Sequence, residues 1–142
     1  MGKNYDYDKN FSGRLAIICS DERFVKPTLK FLDDELNIGS CDFIVIPGGP
    51  EFIANGEARL MDRMDLLIKA HGINEIVLVS HEDCGYYNKC YSFSAKDNID
   101  ERLLDDLKTA VIKLNASYPE IKISGFHCVI NSPGTVKYVK IV

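Results

Sequence analysis

Four near-continuous apolar runs constrain this chain more than any other feature. They are "RLAIIC" (14–19), "DFIVI" (42–46), "EIVLVS" (75–80) and "IKISGFHCVI" (121–130). Each is rich in aliphatic and β-branched residues, and each is short enough to be a strand. Runs of this kind mark strands covered on both faces, which are typically parallel and joined by crossover helices. Helical spacing fills the gaps between them. "VKPTLKFLDDEL" (25–36) places Leu29, Leu32 and Leu36 on one face, with Pro27 tolerated in the first turn. "EARLMDRMDLLIKAHG" (57–72) aligns Leu60, Met64, Leu67 and Ile68 and stops at Gly72, a good C-cap residue. "IDERLLDDLKTAVIKLNASY" (99–118) aligns Leu103, Leu104, Leu107, Val111 and Leu114. After "SPG", the run "TVKYVKIV" (135–142) predicts an antiparallel hairpin with the run before it. The expected fold is α/β: a three-layer domain with a mostly parallel sheet and an antiparallel C-terminal edge hairpin.

At 142 residues, this is one ordinary domain. Residues 1–12 read as a polar N-terminal arm and residues 13–142 as the folded domain. Seventeen basic and 21 acidic side chains leave a net charge of -4, with no Lys/Arg cluster. Nucleic acid and anionic membrane surfaces are therefore not expected partners. No run has the length of a membrane span, and "MGKNYDYDKNFSG" lacks the apolar stretch of a signal peptide. The expected location is cytoplasmic. Five cysteines, an odd number at irregular spacings, suggest no disulfide framework.

The chemistry gathers where two of the runs end. "IICSDERF" (17–24) leaves its strand through Cys19, Asp21 and Arg23, and "VSHEDCGYY" (79–87) leaves through His81, Asp83 and Cys84. In open α/β sheets, ligands bind beyond the C-terminal ends of the strands. If these strands are neighbours, Cys19, His81 and Cys84 meet in one crevice. Two thiolates and an imidazole suit zinc, with three protein ligands and an open fourth position. Taken singly, a cysteine at a strand end is more often packing, and an acid two residues from an arginine is often a solvated pair. Taken together, Arg23 can hold Asp21 ionised and oriented. Asp21 then either accepts a hydrogen bond from water on the metal or takes the fourth position itself. Cys41, Cys90 and Cys128 read as structural or incidental. His71 and His127 read as a helix-end and a satisfied strand residue, and are proton-shuttle candidates only by type. Tyr86, Tyr87, Tyr91 and Phe93 line a small pocket or belong to the core, and Phe24 has the same two readings.

"CSDERF" followed by "HEDCG" resembles the C-x-D-x-R … H-x-x-C-G signature of the β-class carbonic anhydrases. The resemblance extends over residues 13–142. It implies one Zn2+ per chain on Cys19, His81 and Cys84, with Asp21 and Arg23 as a catalytic dyad. It also implies a core strand order of 2-1-3-4 and a closing hairpin in "ISGFHCVINSPGTVKYV", with Asn131 or a neighbour in the place of a family aspartate. The implied activity is reversible hydration of CO2 to bicarbonate, in a homodimer or higher homo-oligomer. The chain departs from the family pattern in three places. "VIPGGPEFIA" stands where an R-N-A-G-like stretch is common, Glu22 is the middle residue of the dyad segment, and the long N-terminal helices of larger members are missing. Its size and "HEDCG" look most like the short members, which include hydrolases of carbonyl sulfide. The alternatives are therefore a zinc hydrolase of a CO2 analogue, or an inactive zinc-stabilised binding domain in which Asp21 closes the site.

Overall fold

The computed structural model describes residues 2–91 and 96–142, without the side chains of residues 96 and 97. The described elements run β1 (Arg14–Ile18), α1 (Glu22–Asp34), β2 (Asp42–Val45), α2 (Glu51–Asn55), α3 (Ala58–His71), β3 (Glu75–His81), α4 (Gly85–Cys90), α5 (Lys96–Ser117), β4 (Lys122–Ser132) and β5 (Thr135–Lys140). They form one sheet of order β2-β1-β3-β4-β5. β1 pairs in parallel with β2 and β3, and β3 with β4. β5 closes the edge antiparallel to β4, with a register shift between Ile130 and Ser132. This is the core order that the resemblance implies, with the edge hairpin expected from the "SPG" turn.

The apolar runs are continuous because both faces of the central strands are covered. On one face, Leu15, Ile17, Ile76 and Leu78 pack against Met64, Ile68, Leu107, Val111 and Leu114 of α3 and α5. On the other, Ala16, Ile18, Val77 and Val79 pack against Phe31 and Leu32 of α1. Burying one such aliphatic side chain contributes about 1.5–3 kcal/mol, so these two layers supply most of the drive to fold. Among the described residues, no helix is long and apolar enough to cross a membrane.

The first helix differs from the periodicity argument. It starts at Glu22, not at residue 25, because the Asp21 side chain caps it by accepting from Arg23 N. Its buried face is Phe24, Thr28, Phe31 and Leu32, at i, i+4, i+7 and i+8, and Leu29 is left 42% exposed. Pro27 consequently lies inside the helix and forgoes the bond to the Arg23 carbonyl. Two short helices, α2 and α4, were not expected. Each is under two turns and carries too little periodicity to read.

Candidate metal centre

β1 and β3 are adjacent and in register, Ile18 opposite Val79, so their C-terminal ends open side by side. Cys19 follows the first strand, His81 ends the second, and Cys84 caps α4 directly after it. All three are buried, and their ligand atoms lie within 4.8 Å of one another. The sulfurs of Cys19 and Cys84 are 4.0 Å apart. Two thiolates at tetrahedral angles on zinc, with Zn–S of about 2.3 Å, stand about 3.8 Å apart. The pair is thus spaced as a zinc ion needs it.

The histidine is oriented for the same centre. His81 Nδ1 is 2.6 Å from the Glu82 carbonyl oxygen, to which it donates, so Nε2 carries the free lone pair. That Nε2 is buried with no hydrogen-bond partner. Leaving such an atom unsatisfied costs about 1–3 kcal/mol, and a bound cation removes that cost. A backbone carbonyl fixing the ring through its other nitrogen is the usual support of a metal-bound histidine. Phe24 stacks on the imidazole with ring centres 4.1 Å apart. Of its two readings, Phe24 thus takes a supporting place against the centre.

The two thiols are electrostatically unequal. Cys19 is pushed down, chiefly because Cys84 donates its S–H to it, with further donation from the Asp21 backbone. Cys84 is pushed up because its proton is held on Cys19 and because it is buried. Two adjacent buried sulfurs cannot both ionise without a cation between them.

Asp21 and Arg23 close one side. Asp21 Oδ2 accepts from Arg23 Nη2 at 2.7 Å, and Oδ1 accepts from Nε at 3.1 Å and from the Arg23 backbone N at 3.0 Å. The guanidinium holds the Asp21 carboxyl below the usual carboxylate range. Arg23 also crosses to the other strand end, donating to Asp83 Oδ2 and to the Asp83 carbonyl, each at 3.2 Å. Asp21 is engaged with Arg23 and is not one of the clustered ligand atoms among the described residues.

The "PGGP" turn closes the other side. Gly48 and Gly49 have φ of +87° and +55°, and both lie against neighbours that leave no room for a side chain. A Cβ on Gly49 would come within 3.1 Å of the Cys19 backbone nitrogen, and one on Gly48 within 2.7 Å of the Tyr86 ring. The turn brings bare backbone against the cysteine that the first strand supplies.

A polar network behind the cysteines was not anticipated. Tyr87, packed against Cys19, Cys84, Ile99 and Leu103, donates to Asp106 Oδ2 at 2.8 Å. Arg102 Nε donates to Asp106 Oδ1 at 3.0 Å, and Arg102 Nη2 reaches the Tyr91 hydroxyl at 3.1 Å. Glu51, also buried, accepts from Asn55 Nδ2 at 2.7 Å. The i, i+4 spacing of Arg102 and Asp106 was the one signal of this network in the sequence. Of the aromatic residues after the H-x-x-C turn, Tyr87 is core and Tyr86 and Tyr91 are half-buried against it, while Phe93 lies outside the described residues. His127 is buried and bonded to Ser80 Oγ at 2.7 Å, and His71 ends α3 bonded to Asp42 Oδ2 at 2.7 Å. Cys41, Cys90 and Cys128 take no place in the ligand cluster.

A doubly covered parallel sheet with a Cys₂His cluster beyond its strand ends is the architecture of the β-class carbonic anhydrases. Over residues 8–140 the sequence matches the family described as "Putative carbonic anhydrase", and the chain belongs to that family. β-Carbonic anhydrase isoform I of Trichomonas vaginalis has the same fold, with a TM-score of 0.66 at 18% identity, covering 99% of this chain and 88% of that one. One of two tetrameric β-carbonic anhydrases from Sordaria macrospora aligns with a TM-score of 0.55 at 14% identity, covering 92% of this chain and 81% of that one. An uncharacterised protein of Rickettsia bellii (strain RML369-C) is 24% identical over 125 residues, 82% of this chain and 76% of that protein.

Proposed function

We propose that this chain is a zinc-dependent carbonic anhydrase that interconverts CO2 and bicarbonate. The observation that carries the reading is the buried, partnerless His81 Nε2 beside two thiols 4.0 Å apart. Cys19, His81 and Cys84 would hold the ion. Bound there, zinc would supply a Lewis acid that lowers the pKa of water to about 7. The Glu82 carbonyl keeps the His81 tautomer that presents Nε2. Asp21, held ionised by Arg23, is the acceptor that orients the attacking oxygen toward the CO2 carbon. In this arrangement Asp21 leaves the fourth position to water and substrate, which favours an enzyme over a closed structural site.

A second reading keeps the same centre and changes the substrate to a CO2 analogue such as carbonyl sulfide. The "PGGP" turn supports it, because backbone and the Tyr86 ring occupy the wall where the resemblance leads one to expect Arg and Asn. The chain also fits a homo-oligomer. Phe43 and Val45 on the edge strand and Leu66 on α3 are exposed, and apolar surface of this kind is what a second copy covers. Free cysteines suit a cytoplasmic location.

Stopped-flow CO2 hydration on metal-quantified protein tests the reading, run from about pH 6.5 to 9 to bracket the near-neutral pKa of water on zinc. One zinc per chain, hydration well above buffer, and a loss of at least about tenfold in Asp21→Ala are expected. Zinc-loaded protein that hydrates CO2 no faster than buffer would sink it, and turnover of carbonyl sulfide by that sample would establish the second reading.

A further inference from the structure

Asp83 is a non-glycine residue at positive φ, +53°, between two of the proposed ligands. An aspartate tolerates this conformation better than most residues, but glycine would adopt it with no penalty. The side chain is engaged in the turn. Asp83 Oδ2 accepts from Arg23 Nη1 and its carbonyl accepts from Arg23 Nη2, each at 3.2 Å. Asp83 Oδ1 accepts from Asn88 Nδ2 at 3.2 Å, which ties the carboxylate down to α4.

Arg23 is thus bound from two directions. Asp21 takes its Nε and Nη2, and Asp83 takes Nη1 and shares Nη2. The Arg23 side chain is 54% exposed. An exposed arginine held only by an acid two residues away makes a weak pair that water competes for. The second anchor, from a different strand end, removes that freedom. It also makes the Cys19 segment and the H-x-x-C turn one unit.

We propose that Asp83 is a positioning residue: by fixing Arg23 from the H-x-x-C turn, it keeps the Asp21 carboxylate on the guanidinium and away from the fourth position of the metal centre. The inference rests on the metal reading given under Proposed function. Without the Asp83 carboxylate, Nη1 of Arg23 loses its acceptor, the residue-83 carbonyl alone holds the guanidinium at that strand end, and the grip of Arg23 on Asp21 loosens. The freed carboxylate, two residues from Cys19, can then turn toward a cation held by Cys19, His81 and Cys84.

Azide binding to the cobalt(II)-loaded protein, followed by the visible absorption of the metal, tests this without reference to turnover. Azide needs an open coordination position. Wild type is expected to bind it, and Asp83→Gly, which is unstrained at this φ, to bind at least about tenfold more weakly. Asp83→Asn keeps an acceptor for Arg23 and should stay within about threefold of wild type. Asp83→Gly combined with Asp21→Asn should recover azide binding, because the amide is a poor ligand. If Asp83→Gly does not hold cobalt, Asp83→Ser, too short to reach the guanidinium, is read in its place with the same expectation. Unchanged azide affinity in a cobalt-loaded Gly or Ser variant overturns the proposal and leaves the metal centre standing. Failure of wild type itself to take up one cobalt per chain overturns the metal reading, and the role of Asp83 falls with it.

Discussion

Cys19 Sγ and Cys84 Sγ stand 4.0 Å apart, although 65 positions separate them in the chain, and both are free thiols. The β1–β3 register brings them together, so the folded state presents ligand atoms that the unfolded chain scatters. A metal held this way binds the native state alone and stabilises it. Purified wild type is therefore expected to contain one zinc per chain and to melt at a lower temperature after treatment with a strong chelator. Cys84→Ser should lose most of its zinc, and chelator should leave its melting temperature unchanged. Metal analysis and paired thermal melts decide it. A wild-type melt indifferent to chelator would mean that no metal stabilises the fold.

Gly49 and Gly56 both have positive φ, +55° and +68°, but only Gly49 is crowded. A methyl on Gly49 meets the Cys19 nitrogen at 3.1 Å and the Val79 carbonyl at 3.2 Å, while nothing lies within 4 Å of one on Gly56. Gly56→Ala should cost only the left-handed backbone penalty, about 1 kcal/mol. Gly49→Ala should cost about 2–3 kcal/mol and also weaken zinc binding, because it displaces the backbone that carries Cys19. Denaturant titration with parallel zinc measurement separates the two. Equal losses in both variants, with zinc retained, would mean that the turn does not shape the centre.

The sheet was legible because burial on two faces writes itself as unbroken aliphatic runs, and "RLAII" and "EIVLV" have no other economical reading. The cluster of Cys19, His81 and Cys84 was legible because the three fall at or just beyond the ends of those runs. The phase of α1 was not, because Phe24 and Phe31 outcompete Leu29 for the core, and three leucines at helical spacing carry no sign of that. Nor was the second anchor of Arg23, since Asp83 reaches it only through a positive φ. The network of Glu51, Tyr91, Arg102, Asp106 and Tyr87 spans three helices, two of them too short to show a period.

Phe24 lies with its ring 4.1 Å from that of His81 and is 5% exposed. It restricts the imidazole from the face, while the Glu82 carbonyl holds it by the edge. Phe24→Leu keeps most of the apolar volume and removes the flat surface, so it should cost about 1 kcal/mol of stability or little more. Zinc affinity should fall about tenfold, the low end of what lost support around a metal ligand costs. Competition with a chromogenic chelator measures it. Affinity unchanged within about twofold would leave the stacking with a packing role only.

Glu51 is 5% exposed and accepts from Asn55 Nδ2, with the Tyr91 hydroxyl at 3.5 Å. Tyr86, Tyr91, Glu57 and Asp106 surround it, the Arg102 guanidinium is bonded to its partners Tyr91 and Asn55 rather than to Glu51 itself, and burial raises its pKa above the ordinary carboxylate value. The folded protein therefore holds the Glu51 proton more tightly than the unfolded chain. Stability is lost as pH rises from the unfolded pKa, about 4.3, through the raised folded value, and the loss persists at neutral pH. Glu51→Gln keeps the acceptor oxygen for Asn55 and removes the ionisation. It should melt higher than wild type at pH 7, by about 4 °C if the relief is about 1 kcal/mol, and the difference should vanish near pH 4. Thermal melts of both proteins across that range test the sign. A variant less stable than wild type at pH 7 would show that the charged carboxylate is itself stabilised, and that Arg102, bonded to Tyr91 and Asn55, serves as its counterion.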